Sequence, residues 1–595
     1  MAQIQLHAFC RKHETALWLA LIVVVAAALR LVGLSFQSYW YDELFSAYYS
    51  NPGHSLDEVI RLTLADVHPP VYQVVMWLFY KGLGYNELAG RLPSALVGIA
   101  TIPAIFLLGR EMFDKRAGLY AAAFATVNYY LIYFSQEARS YAFLYFLCTL
   151  SFLYFVRALR GASWFNVVLY VVATLMLLYT HYFGLVLLVV QVLTLVLYLR
   201  ANLPLDRKLL LRAGIAAAVI SIGLVPLLPV MFMHANVTGF WIQQPAISFA
   251  YDYFLSYFAV AWLAGVFAAL IGVGLVVGGI RPAINHESSW VRLCLVALVL
   301  WIVIGYLLPW VRGFFSQPVI TDRNTIMVLP PLMILAGYGL TRLPGIIVQR
   351  ALGSVVVLLS LWFLVIEVDY YGKVTKNQFR SMATTLINHG HDLPVYTLKF
   401  NHTKYNVYFE QLGSSLRSVD ASVLEDKLRN GVAEPLFWIA DAHMRRLQTD
   451  VEEKYGLVQV ALYKAHGAVA ELLVNPALAT TIDIESAMLS GADGNWLSTG
   501  PVVWPSDNAK LLLALDKSSS ALSTRNVQID LLDSSSHVRE TYAATLGVIP
   551  STMLVKPDVR AGEEVRLVIR LPESESEPSV WFIRDESGES QTGSL

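Results

Sequence analysis

Apolar residues along this chain come in long unbroken runs. Runs of about 18 to 20, the length that crosses roughly 30 Å of hydrocarbon, fall near residues 17–34, 92–109, 117–135, 140–157, 163–180, 183–199, 211–232, 257–279, 291–310, 324–341 and 351–368. They predict a polytopic α-helical membrane protein with about eleven transmembrane helices, an odd number that puts the two ends on opposite sides. Pro69 to Leu83 is also apolar, but at about 15 residues it is too short to span comfortably and is expected as an outer-face or re-entrant helix. The run from Leu17 to Leu34 follows Arg11 and Lys12, yet it exceeds a signal-peptide core and shows no small-residue cleavage site. It reads as a retained first span.

Past residue 372 the pattern changes. Helix-like segments (Gln378–Asn388, Ser422–Arg429, Arg445–Tyr455) alternate with short apolar runs (Pro394–Leu398, Leu436–Ala440, Val458–Tyr463), which predicts a small α/β unit. From Asn475 onward short alternating runs (Lys510–Leu515, Val527–Leu532, Val565–Leu571, Val580–Ile583) are separated by Ser, Asp, Gly and Pro, as in a β-sandwich. The expected organisation is a transmembrane domain over 1–372, an α/β domain over 373–475 and a β-rich domain over 476–595, with a frayed end from Asp585. No internal repeat is apparent.

Composition agrees with this division. Apolar residues make up 56% of the 595 and charged residues 15%, against roughly 25% charged in soluble globular chains, and mean hydropathy is +0.54. The first 370 residues hold 22 Lys and Arg against 16 Asp and Glu, net +6, whereas the last 225 hold 21 against 28, net −7. Nothing resembles a contiguous basic groove, so nucleic acid is not expected as a partner. The three cysteines, Cys10, Cys148 and Cys294, all precede the tail, which must therefore fold without disulfides.

Sidedness follows from the basic residues. Arg11, Lys12, Arg110, Lys115, Arg116, Arg157, Arg160, Arg200, Arg207, Lys208, Arg212, Arg281, Arg292, Arg342 and Arg350 all fall in alternate loops, which marks those loops as cytoplasmic. The other set of loops carries Asp42, Glu43, Asp57, Glu58, Asp66, Glu87, Glu137, Asp252 and Asp322. It is expected to face outward together with the tail, the periplasm in a bacterial inner membrane.

That outer face is where chemistry-bearing residues gather. Tyr39-Trp40-Tyr41-Asp42-Glu43 follows the first span, then Asp66-Val67-His68-Pro69-Pro70. A carboxylate beside an aromatic belt at the membrane surface suits a general base or a cation ligand, but Asp42 is also well placed to cap a helix starting at Glu43. The two prolines after His68 equally suit a rigid helix start. Arg30, inside the first span, is expected to snorkel to the headgroups, and Arg91 with Glu87 to fix the start of the second span.

Tyr41-Asp42-Glu43, Asp66-x-His68-Pro69-Pro70, Arg91-Leu92-Pro93-Ser94 and Ser135-Gln136-Glu137-Ala138-Arg139-Ser140-Tyr141, in that order and spacing, resemble the GT-C glycosyltransferases. The likeness is to bacterial members related to protein O-mannosyltransferases and to the lipid A aminoarabinose transferase. It covers about residues 15 to 375 and includes Asp322-Arg323-Asn324, where relatives usually carry an Arg-Tyr pair and Asn324 departs from it. The β-rich tail lies outside the resemblance.

The resemblance implies a transferase that takes a sugar from a polyprenyl phosphate and passes it to an extracytoplasmic acceptor, whether glycan, lipid or protein, with inversion. Asp42 then matches the base, with Glu137 as a second catalytic carboxylate and Glu43 and Asp66 in support. Arg139, Arg323, His68 and Tyr141 are the expected donor and phosphate contacts, because paired guanidiniums suit a departing phosphate. His181 with Asp66 is the possible site of a divalent cation. Glu137 also admits a local ion pair with Arg139, and His181 a purely interfacial hydrogen bond. Two other classes fit a multi-span chain: a flippase or transporter of lipid-linked sugars, and an inactive GT-C-like assembly protein. Transporters concentrate charge at the midplane and often show inverted repeats, whereas here the acids cluster at one surface.

Overall fold

Each of the eleven apolar runs forms helix in the computed structural model. The structure describes all residues except 1, 162, 202–205, 236–241, 281–285, 390–392, 398–400, 432–433, 442–453, 482–483, 492–493, 500–501, 506–508, 515–524, 547–551, 572–578 and 584–595. Among the described residues eight helices are long and apolar enough to cross a membrane: His13–Leu31, Glu87–Met112, Tyr141–Gly161, Gly184–Ala201, Arg207–His234, Ser289–Arg312, Asn324–Arg342 and Ile346–Glu367. The other three runs are irregular. Trp164–Leu178 is shorter, Phe249–Phe258 and Ala261–Val277 meet at a bend of 103°, and Lys115–Val127 stops at Asn128 before Tyr129–Ser135. Val71–Leu83 is the short helix expected over that stretch. The chain is a multi-pass membrane protein.

The break at Asn128 has a local cause and a distant consequence. Asn128 is extended, its Oδ1 accepting the Leu131 N–H at 3.0 Å to cap the next helix. Its Nδ2 donates to the Tyr257 carbonyl at 2.9 Å. Ending the preceding helix there leaves its last carbonyls without intrahelical donors. Arg30 supplies them, donating to Ala125 O at 3.0 Å and Thr126 O at 3.1 Å. This corrects the snorkelling expectation: Arg30 is 1% exposed and is held inside the protein by a helix C-terminus, the end that attracts cations. Gln136 does the same for the first span, donating to the carbonyls of Leu29, Arg30 and Val32.

Glycine sets the tightest helix contacts. A Cβ at Gly337 would sit 2.6 Å from Ala117 O, and one at Gly274 2.9 Å from Leu335 O, while one at Gly339 would overlap Leu270 O. Small residues let membrane helices approach to backbone distance in this way. They bring 329–342 against both 115–127 and 261–280.

By its contacts the chain divides into two units, Met1–Gln37 with Tyr49–Lys373, and Ser38–Tyr48 with Val374–Leu595.

Within the second unit, β1 (Val395–Thr397), β2 (Ser418–Asp420), β3 (Leu436–Asp441), β4 (Val458–Ala465) and β5 (Ala468–Val474) form one sheet in the order β2-β1-β3-β5-β4. The pairs β1–β2 and β1–β3 are parallel, and β3–β5 and β4–β5 antiparallel. Helices Phe379–His389, Asn401–Gln411 and Ala421–Arg429 accompany it; the second of these was not expected. Most of the predicted helix at Arg445–Tyr455 lies outside the described residues.

Downstream are β6 (Ala479–Thr481), β7 (Ile484–Gly491), β8 (Gly494–Thr499), β9 (Val502–Val503), β10 (Lys510–Ala514), β11 (Arg525–Leu532), β12 (Val538–Leu546), β13 (Thr552–Val555), β14 (Glu564–Leu571) and β15 (Ser579–Ile583). They make one sheet of order β13-β10-β15-β6 and a second of order β12-β11-β14-β8-β7, with β9 beside β14. Alternate residues of both sheets, Leu511 and Leu513 from one and Val527, Ile529, Leu531, Leu567 and Ile569 from the other, share one buried core with Trp504. The expected frayed end from Asp585 lies outside the described residues.

Candidate active site

In the membrane unit, one polar chain runs through Asp66, His68 and Arg139. His68 Nδ1 lies 2.9 Å from Asp66 Oδ2, and His68 Nε2 3.1 Å from Arg139 Nη2. A guanidinium can only donate, so Nε2 is the acceptor. Nδ1 therefore carries the proton and donates it to Asp66, which fixes His68 as one neutral tautomer. Burial works against ionisation of Asp66, but the hydrogen bonds from His68 and the Val67 N–H and the Arg139 charge outweigh it and hold the carboxyl down at about 2. Asp66 is thus an anion, aligned through His68 on Arg139.

Arg139 and Arg323 share a neighbour. Their guanidinium carbons lie 5.8 Å and 5.9 Å from the centroid of the Tyr141 ring, within the range of cation–π attraction. Two cations around one ring repel each other, so the arrangement favours an anion between or beside them. Backbone geometry holds the segment: the Arg139 carbonyl accepts from Ser94 Oγ at 3.2 Å, and Arg91 Nη1 donates to Leu34 O at 2.8 Å and Gln37 O at 2.7 Å. Arg91 and Ser94, both in the Arg-Leu-Pro-Ser run, thus tie the exit of the first span and the Arg139 segment to the second span.

His181 stands 6.1 Å from Tyr141, ring to ring. Its Nδ1 accepts the Phe183 N–H at 3.3 Å, leaving Nε2–H to donate to the Asn324 side chain, whose Nδ2 is committed to Val319 O at 2.8 Å. Burial, then the positive field of Arg139, lowers its titration to about 3 despite the Asn324 bond. Asn324, where the resemblance led one to expect tyrosine, therefore orients a neutral histidine. Among the described residues no group of three His, Cys, Asp or Glu converges around Asp66 and His181.

Glu137 is wholly buried. Arg139, two residues on, faces His68 and Tyr141. His234 escaped sequence reasoning, because a single histidine ending an apolar run carries no local signal. Its Nε2 donates to Leu64 O at 3.1 Å and its Nδ1 accepts from the Tyr182 hydroxyl at 3.3 Å, tying the segment before Asp66 in place.

Asp42 and Glu43 belong to the other unit. Their helix is Tyr41–Tyr49, so Asp42 is its second residue and not its cap. The Trp40 carbonyl accepts the Leu44 N–H at 3.1 Å, and Glu43 Oε2 reaches back to the Trp40 N–H at 3.2 Å, as the third residue does in a capping box. The capping reading thus passes from Asp42 to Glu43. Glu43 is fully buried, while Asp42 is partly exposed.

The helices define a polytopic membrane protein, and its fold is like that of the GT-C glycosyltransferases of known structure it superposes on. Residues 67–232 match the family model of dolichyl-phosphate-mannose-protein mannosyltransferases. Apo ArnT from Cupriavidus metallidurans superposes with a TM-score of 0.54 at 15% identity, over 76% of this chain and 97% of that one. The same protein bound to undecaprenyl phosphate gives 0.51 at 16% identity, over 76% and 98%. The archaeal oligosaccharyltransferase AglB from Archaeoglobus fulgidus, in complex with an inhibitory peptide and a dolichol-phosphate, gives 0.51 at 10% identity, over 95% and 98%. No curated protein matches the sequence.

Proposed function

We propose that the protein is a membrane glycosyltransferase that moves a sugar from a polyprenyl phosphate to an acceptor outside the cytoplasm, in the inner membrane of a bacterium with the tail in the periplasm. The observation that carries this reading is the pair of guanidiniums, Arg139 and Arg323, around Tyr141, with Arg139 further fixed by the Asp66–His68 relay. Such a site suits a phosphate that gains charge as it leaves.

The proposed step is a single displacement. The acceptor hydroxyl gives its proton to a base, the role the resemblance implies for Asp42, its oxygen bonds to the anomeric carbon, and the bond from that carbon to the phosphate oxygen breaks, with inversion. The polyprenyl phosphate leaves as an anion held by Arg139 and Arg323. Glu137, wholly buried, keeps the role of second catalytic carboxylate that the resemblance implies. The likeness to ArnT bound to undecaprenyl phosphate supports a lipid-phosphate donor.

The test is turnover by the purified protein of a panel of radiolabelled polyprenyl-phosphate sugars, with membrane extract as acceptor. Label transferred from at least one donor is the expected result. No transfer from any donor, together with movement of intact lipid-linked sugar across vesicles, would replace the transferase with a flippase.

A further inference from the structure

The helix that carries Asp42 is held by residues more than 300 positions later in the sequence. Lys376 Nζ lies 3.2 Å from Glu43 Oε2, with the two side chains 7% and 0% exposed. That same carboxylate oxygen closes the helix start through the Trp40 N–H. One residue earlier, the Tyr39 N–H donates to the Tyr408 hydroxyl oxygen at 2.6 Å, and Ser38 Oγ donates to Gln378 Oε1 at 3.3 Å. Lys404, fully buried, places its ammonium over the faces of Tyr41 and Phe45. Residues 38 to 45 are therefore gripped from both ends and on two faces.

A buried ion pair is a weak source of net stability but a strong source of fixed geometry, since either partner left alone is a buried unpaired charge. Glu43 and Asp42 are adjacent on one helix, so anything that fixes the rotation of Glu43 fixes the direction of Asp42. We infer that Lys376 is a positioning residue for the transfer reaction: by pairing with Glu43 it aims the Asp42 carboxylate, with Lys404 and Tyr408 completing the clamp. The first segment of the tail is then a working part of the enzyme. This rests on Asp42 being the base.

The test is a double-mutant cycle on the full-length protein, measuring kcat, KM for the donor and thermal stability. Lys376→Met should lower kcat at least ten-fold at a temperature where it is fully folded, with donor KM within two-fold of the parent. Lys376→Arg, which keeps the charge, should recover most of that loss. In an Asp42→Asn background, Lys376→Met should cost nothing further, because its effect passes through Asp42. A folded Lys376→Met with kcat within two-fold of the parent would overturn the inference, as would an equal loss in both backgrounds. Should Lys376→Met fail to fold, Tyr408→Phe, which keeps the ring and removes the acceptor for the Tyr39 N–H, is judged by the same two criteria. Parent turnover with an inert Asp42→Asn change would instead refute the assignment of the base, a separate outcome from failure at Lys376.

Discussion

Arg139 is constrained on two sides, by the lone pair of His68 Nε2 and by the Tyr141 ring, and Arg323 stands by the same ring. Lysine keeps the charge but not the planar fork. Arg139→Lys and Arg323→Lys are each expected to lower turnover by on the order of ten-fold or more at equal protein level; unchanged turnover in both would move the phosphate site elsewhere. His181 makes a pH prediction. The unfolded chain takes up a proton there near the ordinary histidine value of 6.5, whereas the folded protein does so only at about 3. Between those values the unfolded state binds more protons, so stability falls as pH falls, by up to about 1.4 kcal/mol per pH unit. Melting of the detergent-solubilised protein should show this decline between pH 6.5 and 5, and His181→Gln should flatten it; an equal slope in the variant would contradict the neutral buried imidazole. Residue types at the site were legible in the sequence, since the motifs place Asp66, His68, Arg139 and Tyr141 in order. Their partners were not, because hydrogen bonds such as Arg30 to Thr126 join residues that no local periodicity relates.

Among the described residues, each of the eight helices long and apolar enough to cross a membrane falls on one of the apolar runs, because crossing hydrocarbon is a requirement a sequence cannot disguise. It did not show where helices break. Asn128 reads as one polar residue in an apolar run, yet it ends one helix and caps the next, and the loose carbonyls then recruit Arg30. The strands at 510–514, 525–532, 564–571 and 579–583 were legible from alternation. The helix Asn401–Gln411 was not, since its apolar positions are few and polar Asn, His and Lys crowd its first turn. Helix packing supplies the prediction at this scale. A Cβ at Gly339 would overlap the Leu270 carbonyl, and relief requires two helices to move apart. Gly339→Ala should therefore destabilise by about 1–3 kcal/mol, the range for overpacking, seen as a lower Tm; a Tm equal to the parent would show that the helices are not in backbone contact.

Two bodies of opposite net charge, a basic membrane part and an acidic tail, make up the whole chain, and the tail's unit also contains the Asp42 segment. The distribution of Lys and Arg predicts that this unit is extracytoplasmic. Cys148 and Cys294 are buried, so in a Cys10→Ser background a Ser415→Cys variant should react with an impermeant maleimide in intact cells and a Ser163→Cys variant should not. The reverse labelling would invert the topology. The central claim is that the molecule is an enzyme whose base is Asp42, and Asp42→Asn tests it most directly. Asp42 does not cap its helix, a role Glu43 performs through Trp40, so the change keeps the side chain's shape and removes its basicity. The variant is expected to melt as the parent does and still bind polyprenyl phosphate, while transferring sugar roughly 10²-fold or more slowly, the scale of general-base catalysis. Transfer within a few-fold of the parent would contradict the account.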